Sequence, residues 1–382
     1  MSLESDALAA VEKYLQSNPS DAAAWNVKGV LLAKMEDFGG ALRALDTALR
    51  LNPELAEAHT NRGRVLLALG PEKAKEAIQS FERALQLAPG DTEALRDKAA
   101  ALRLLGRSKE ELDIIESLVE KMPSEPSLWI RRGDLELELG LLEDGVRSYD
   151  RALELRAELV PALVHRALAL GLLERWKEAI KSAESATELA PDNMEAWRVL
   201  ADVNIRAERY KHAMRALERA AKLDPTDASV ENTMGMVAYK SGALQSAVEH
   251  FTRAIVRDKK HVSAHRNLGL LYMELEQWAE AEETLFRLTR FYRDDPDVWD
   301  AHATACARLE DFCAATESWE NARRLYRKKD NEREAERVQN LGRAARINCS
   351  RQKKAYRAQR EHEKATRTFY DRFELRKKKQ RE

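Results

Sequence analysis

Small apolar residues fall along this chain at fixed intervals, with larger apolar residues between them. Trp25, Gly29, Ala41, Leu45, Ala48 and Pro53 have counterparts further on. They return as Trp129, Gly133, Tyr149 and Ala152, as Trp197, Ala201, Ala213, Leu217, Ala220 and Pro225, and as Trp299, Ala303, Ala315, Trp319 and Ala322. The displacements are multiples of 34 residues once a two-residue insertion at Pro71 and Glu72 is allowed for. A period of this length predicts a stack of small supersecondary units, each hiding its apolar face against its neighbours.

This spacing and these residue types resemble the tetratricopeptide repeat family, whose unit is an antiparallel pair of helices, A then B. On that resemblance nine units begin at Ala22, Ala56, Thr92, Pro126, Val160, Met194, Ala228, Val262 and Pro296 and cover residues 22–329. The resemblance implies an all-α, right-handed superhelical solenoid. Residues 1–21 read as an unpaired helix B, with Ala7, Val11 and Tyr14 on its spacing. Residues 330–349 read as a capping helix through Ala335, Val338, Leu341 and Ala345, and residues 350–382 as a basic helical tail.

Each position has a physical reason. A small residue sits eighth in every unit, from Gly29 and Gly63 to Gly269 and Ala303, and a second sits twelve later at Ala41, Ala179, Ala213, Ala247, Ala281 and Ala315. Two helices cross closely only where neither carries a bulky side chain. A third small residue, seven further on, faces the next unit (Ala48, Ala84, Ala152, Ala186, Ala220, Ala254, Ala322). An apolar or aromatic residue marks the A–B turn at Phe38, Leu142, Trp176, Tyr210, Leu244, Trp278 and Phe312. Pro53, Pro89, Pro123, Pro191 and Pro225 stop helix B. Gly70, Gly106, Gly140 and Gly242 stand where helix A ends and a left-handed residue is useful. The third unit departs from the pattern, with Glu111 at a small position and Ser108 at the turn, and is expected to be a local hinge. In a later unit Leu288 replaces the usual Ala.

Charge divides the chain. Residues from Arg323 to Glu382 hold 22 Lys and Arg against 9 Asp and Glu, whereas the whole chain holds 64 and 65, so the repeats are acidic and the tail basic. Lys353, Lys354, Arg357 and Arg360 lead into an aromatic cluster, Phe369, Tyr370 and Phe373, and then Lys377, Lys378 and Lys379. Such a tail suits nucleic acid or an acidic protein partner; a membrane is not expected. Cys306, Cys313 and Cys349 form no disulfide framework and point to a reducing compartment. With no membrane-length apolar stretch and no secretion signal, the cytoplasm is expected.

The family resemblance implies that helix A lines a concave groove that grips a protein or peptide. Expected contact residues are Leu67, Arg96, Ile130, Leu137, Val164, Leu168, Arg198, Ile205, Asn232, Met236, Tyr239, Arg266, Asn267, Leu270 and Met273. An apolar floor with mixed charges suits an extended or helical peptide, and Met and Tyr adapt to varied partners. Some relatives clamp a chaperone C-terminus with Lys and Asn on successive A helices. Asn61 and Asn267 occupy the middle slot here, but the flanking Asn26, Glu93, Asn232 and Asp297 do not follow that pattern. A basic row at the seventh position (Lys28, Arg62, Lys98, Arg132, Arg166) is expected to snorkel over the inter-helix seam and pair with acids.

No phosphate loop or nucleophile elbow is present, so no catalytic residue, cofactor or small-molecule substrate is expected. His261 with His265, and His302 with Cys306, have metal-ligand spacing on a helix, but they fall on packing positions and no metal is expected. The functional expectation is a non-enzymatic adaptor, with a nucleic-acid- or ribosome-associated factor as the competing reading.

Overall fold

The computed structural model describes the backbone of residues 3–379 and side chains as far as Lys364. Its described residues form α-helices and one short 3-10 turn, with no strand. Contacts divide the chain into two units, residues 1–207 and 208–382.

The first unit opens with α1 (Leu3–Ser17). Antiparallel pairs follow: α2 (Ala22–Lys34) with α3 (Phe38–Leu51), α4 (Ala56–Leu69) with α5 (Ala74–Leu87), and α6 (Thr92–Leu104) with α7 (Ser108–Lys121). Next come α8 (Pro126–Glu138) with α9 (Leu142–Leu155), α10 (Val160–Leu172) with α11 (Trp176–Leu189), and finally α12 (Met194–Arg206). The second unit holds α13 (Tyr210–Leu223), then α14 (Ala228–Lys240) with α15 (Leu244–Arg257) and α16 (Val262–Glu274) with α17 (Trp278–Phe291). It closes with α18 (Pro296–Arg308), α19 (Phe312–Lys328) and the long α20 (Glu332–Lys379). Every residue read from the sequence as a repeat start is the first residue of a helix, and the turn aromatics are the first residues of the B helices.

The small positions work by size compensation. A Cβ on Gly63 would lie 2.4 Å from Phe81, on Gly133 2.6 Å from Tyr149, and on Gly235 2.6 Å from Phe251. The ring of helix B therefore fills the space that glycine leaves on helix A. Ala41, Ala48, Ala84 and Ala152 are completely buried, as is Leu288 where it replaces the usual Ala. Several helices carry a side-chain cap; Asp21, Asp91, Asn193 and Asp227 each accept a backbone N–H of the first turn, an arrangement worth about 1 kcal/mol each. Helix A ends on a positive φ throughout: Gly106, Gly140 and Gly242 supply it in some units, and Glu36, Glu174, Glu276 and Glu310 in others. The inserted Pro71 and Glu72 form a 3-10 turn, Pro71–Lys73, which leaves α4 and α5 unbroken.

One sequence expectation gains detail and another needs correction. The third unit keeps a regular helix despite its departure from the pattern: α7 is unbroken, and Glu111 is 1% exposed. Arg131 holds both of its oxygens at 2.7 Å, and Arg103 adds a bond at 3.1 Å. A buried acid thus stands in for a small residue because its charge is paired. The cysteines do make a disulfide. Cys313 on α19 and Cys349 on α20 are bonded, 36 residues apart, which removes the support that cysteine usage lent to a reducing compartment. No described helix is long and apolar enough to cross a membrane.

Helix α20 runs unbroken through the residues read as a cap and on into those read as a helical tail. Ala335, Val338 and Ala345 are buried beside Trp319 and Tyr326 of α19, whereas Leu341 is exposed. Lys353, Lys354, Arg357 and Arg360 are exposed. The side chains of Phe369, Tyr370, Phe373, Lys377, Lys378 and Lys379 lie outside the described residues.

Candidate peptide-binding surface

A repeated ring-to-backbone bond ties the first turn of helix A to the loop before it. Trp25, Trp129, Trp197 and Trp299, each in the first turn, donate Nε1–H to the carbonyl six residues earlier at 2.8–2.9 Å. His59 and His265 make the same link through Nε2, at 3.0 and 3.1 Å. Each ring ties its helix to the loop that precedes it, so the outward face of helix A is fixed in rotation.

The seventh-position bases form a second device in the first unit. Lys28, Arg62, Lys98, Arg132 and Arg166 pair with Glu12, Asp46, Glu82, Glu116 and Asp150, sixteen residues earlier on the preceding helix B, at 2.6–3.1 Å. Arg62 and Arg166 also donate to Ser80 and Ser182 on the following helix B. One cation thus stitches three helices. The acids are about half exposed, so each pair contributes about 0.2–1 kcal/mol. The row is committed to structure.

Neighbouring A helices are linked across the candidate surface. In the first unit Asn61 Nδ2 donates to Asn26 Oδ1 at 2.9 Å, and Arg64 pairs with Glu93 at 2.7 Å and Asp97 at 2.5 Å. Burial raises the Asp97 carboxyl above its ordinary value despite Arg64. His165 bonds to Asp134 at 2.6 Å; that bond, with the Asp134 charge, raises the imidazole above its ordinary value against the effect of burial. An open pocket of about 310 Å³ lies between α2 and α4, lined by Val30, Ala33, Phe38, Asn61, Arg64 and Val65 among others.

In the second unit Asn267 Nδ2 donates to Asn232 Oδ1 at 3.0 Å and lies 3.3 Å from the Met236 sulfur. Tyr239 donates to Glu274 at 2.7 Å, and this bond raises its phenol above the ordinary value. Arg266 pairs with Asp295. Amide pairs and charge pairs therefore run between successive A helices and neutralise much of the mixed charge seen in the sequence.

The expected contact residues separate by accessibility. Met236, Tyr239 and Leu270 are 38, 40 and 47% exposed, on adjacent helices α14 and α16. Arg96 and Arg198 are exposed; Arg96 lies 3.8 Å from Glu125. Leu67, Ile130, Leu137, Leu168, Ile205, Asn232, Arg266, Asn267 and Met273 are half-buried. Val164 is 2% exposed and belongs to the packing between helices, not to a free surface. The structure brings together Asn232, Met236 and Asn267 by direct contact.

The two histidine spacings resolve differently. His261 accepts the Ala264 N–H through Nδ1 as a helix cap, and His265 is tied to Lys259, so each has a ring nitrogen committed to backbone. His302 and Cys306 are joined by a third group invisible in the spacing, Glu282 from α17. Burial lowers the His302 pKa below its ordinary value and pushes the Cys306 thiol up to about 12.

A profile described as tetratricopeptide repeat matches residues 172–236 and 238–305, and a second of the same description matches 31–92 and 72–126. Together they span more than half of the chain. The chain belongs to the tetratricopeptide repeat family. Among curated relatives, Protein FlbA of Caulobacter vibrioides is 27% identical over 46% of this chain and 29% of its own length. A DnaJ homolog subfamily C member 7 homolog of Schizosaccharomyces pombe is 29% identical over 48% of this chain and 42% of its own. The chain therefore spans less than half the length of these relatives. Among solved structures, YrrB, described as a TPR protein with an unusual peptide-binding site, is 26% identical with a TM-score of 0.40, covering 47% of this chain and 93% of that one. The Cut9–Hcn1 assembly of APC/C gives 16% identity and a TM-score of 0.44, covering 84% and 76%.

Within the tetratricopeptide pattern, Asn61 and Asn267 bond to an asparagine of the preceding repeat where a carboxylate clamp would need a free amide beside a lysine. The sequence missed the cross-repeat pairing because the partners stand 35 residues apart, one repeat plus one residue. That offset is the only signal that could have revealed it.

Proposed function

We propose that this tetratricopeptide repeat protein is a non-enzymatic scaffold that holds a protein segment against its A helices. The observation that carries the reading is the apolar surface of Met236, Tyr239 and Leu270 on α14 and α16, beside the amides of Asn232 and Asn267. Apolar side chains of a guest would seat on the first three, while its backbone exchanges hydrogen bonds with Asn267 Oδ1 and Asn232 Nδ2, the amide atoms outside the pair. We read residues 22–329 as nine repeats, residues 1–21 as a half-repeat, 330–349 as the cap and 350–382 as the tail.

The test compares partners captured by the full chain with those captured by Leu270→Asp and Met236→Asp. Both sites are exposed, so helical content should be unchanged while specific partners are lost. Partners that survive both substitutions would refute this location. The competing reading rests on the exposed bases Lys353, Lys354, Arg357 and Arg360. It predicts salt-dependent RNA or DNA binding that disappears on deletion of 350–382.

A further inference from the structure

Cys306 is the cysteine left outside the disulfide, and it is 1% exposed on α18. His302 lies one turn earlier on the same helix face and is 3% exposed. Glu282 reaches over from α17, with its side chain 34% exposed. One oxygen, one nitrogen and one sulfur converge. Glu282 Oε1 is 3.4 Å from His302 Nε2, and Cys306 Sγ is 3.5 Å from the same nitrogen. The three donor atoms all lie within 4.8 Å of one another.

These separations fit a specific metal. Zinc takes thiolate at about 2.3 Å and imidazole or carboxylate at about 2.0–2.2 Å, in tetrahedral array. Such bond lengths place nitrogen and oxygen about 3.3–3.5 Å apart, and sulfur and nitrogen about 3.5–3.6 Å apart. The two edges that meet at Nε2 fall on or beside these values, and the third, sulfur to carboxylate oxygen, lies within 4.8 Å.

The ring is also oriented for the task. His302 Nδ1 lies 2.8 Å from Ser318 Oγ on α19. If Nδ1–H donates to that oxygen, the Nε2 lone pair faces the sulfur and the carboxylate, and a lone pair beside a carboxylate is stabilised by a cation between them. An outer partner on the second ring nitrogen is the usual support of a zinc-bound histidine. Phe286 packs on the ring at 5.6 Å. The Glu282 side chain, 34% exposed, puts this donor in contact with solvent, from which a water would be the fourth ligand.

We infer that Glu282, His302 and Cys306 form a zinc site that ties α17 to α18. On loading, the Cys306 S–H bond is replaced by S–Zn, the proton passes to solvent, and the ion sheds water for three protein donors. Thiolate and carboxylate together neutralise the ion.

The test uses purified full-length protein, stripped with chelator and kept free of reductant so that the disulfide stays closed. Cobalt(II) is titrated as the spectroscopic probe and zinc(II) is then added in competition. The expected result is one equivalent of cobalt with a thiolate-to-metal charge-transfer band and the strong visible bands of a tetrahedral site, both bleached by zinc. Cys306→Ser should abolish the charge-transfer band. Glu282→Gln, at a part-exposed site that tolerates change, should weaken binding by at least about tenfold, and Ser318→Ala by about 10- to 100-fold. If Cys306→Ser unfolds the protein, Glu282→Gln still decides. Absence of the band in excess cobalt, its persistence in Cys306→Ser, or unchanged affinity in Glu282→Gln would overturn the inference.

Discussion

Replacing Arg131 by Met should destabilise the region around α7 and α8 far more than replacing the acid it serves. Arg131 gives Glu111 two bonds at 2.7 Å, while Arg103, whose side chain is 54% exposed, gives a longer one at 3.1 Å. Arg131→Met keeps the length of the side chain but leaves a carboxylate that is 1% exposed with only this half-solvated partner. Breaking a buried pair from one side costs about 3–5 kcal/mol, and Arg103 offsets part of it, so about 2–4 kcal/mol is expected. Glu111→Ala removes the buried charge itself and restores the small residue found at this position in other repeats. Arg131 can then turn to water, and the cost should stay near 1 kcal/mol, the typical effect of a single substitution. The double variant should resemble Glu111→Ala, giving a coupling of about 2–4 kcal/mol, at the upper end of the range for residues in direct contact. Stacked repeats need not unfold all at once, so the readout is native-state amide exchange in α7 and α8, with α11 as an internal control. A loss below about 1 kcal/mol in Arg131→Met, or equal losses in the two single variants, would refute the reasoning.

Gly63→Ala should cost about 1–2 kcal/mol, because overpacking against the buried Phe81 ring, 2.4 Å from the new Cβ, outweighs alanine's helix advantage; urea titration with Phe81→Leu as the relieving second change checks it. Glu276→Gly should stabilise by about 0.5–1 kcal/mol, since a non-glycine residue there holds φ at 56°, as thermal melting would show. Glu231 gives the second unit an acid limb. Burial pushes its carboxyl up, but bonds from His250 and Arg253 and the charges of Arg257 and Arg253 outweigh that and hold it below its ordinary value. Its contribution is therefore full above the unfolded value and lost as pH falls through the folded one, and Glu231→Gln should flatten that limb in pH-dependent melts. Cys313→Ser should lower the stability of the α19–α20 region by about 3–4 kcal/mol, the loop-closure value for a 36-residue separation, with exchange protection of Val338 and Ala345 as the measure; unchanged protection would show that the bond carries no such weight.

The fold was legible because each repeat solves the same packing problem with the same residue sizes. Gly63 can be glycine only because Phe81 needs the room, and the same logic couples Gly133 to Tyr149 and Gly235 to Phe251. A local rule applied every 34 residues leaves a strong trace in one sequence. Exceptions hid where a different chemistry met the same constraint. Glu111 looked like a fault in the pattern, because its neutralising Arg131 lies twenty residues away on another helix. Glu174 and Glu276 did not look like helix stops, since glycine elsewhere performs that task.

The surface was harder to read, because exposure at an A-helix position depends on the neighbouring repeat. Val164 and Met236 both looked like floor residues, yet one is closed off at 2% and the other open at 38%. The difference comes from what stands beside them, and no period encodes it. The same holds for the acid, imidazole and thiol on α17 and α18. His302 occupies the seventh position, where Arg62 and Arg166 reach a serine on the following helix B, and it keeps that habit by bonding Ser318. Here the residue sixteen back is Phe286, whose ring packs on the imidazole, so no acid stands at that spot for the second nitrogen. It turns inward instead, to Glu282 and Cys306. A structural stitch thereby becomes a set of donors when the base and its acid both change and Glu282 and Cys306 stand nearby, which explains why the spacing of His302 and Cys306 alone read as packing.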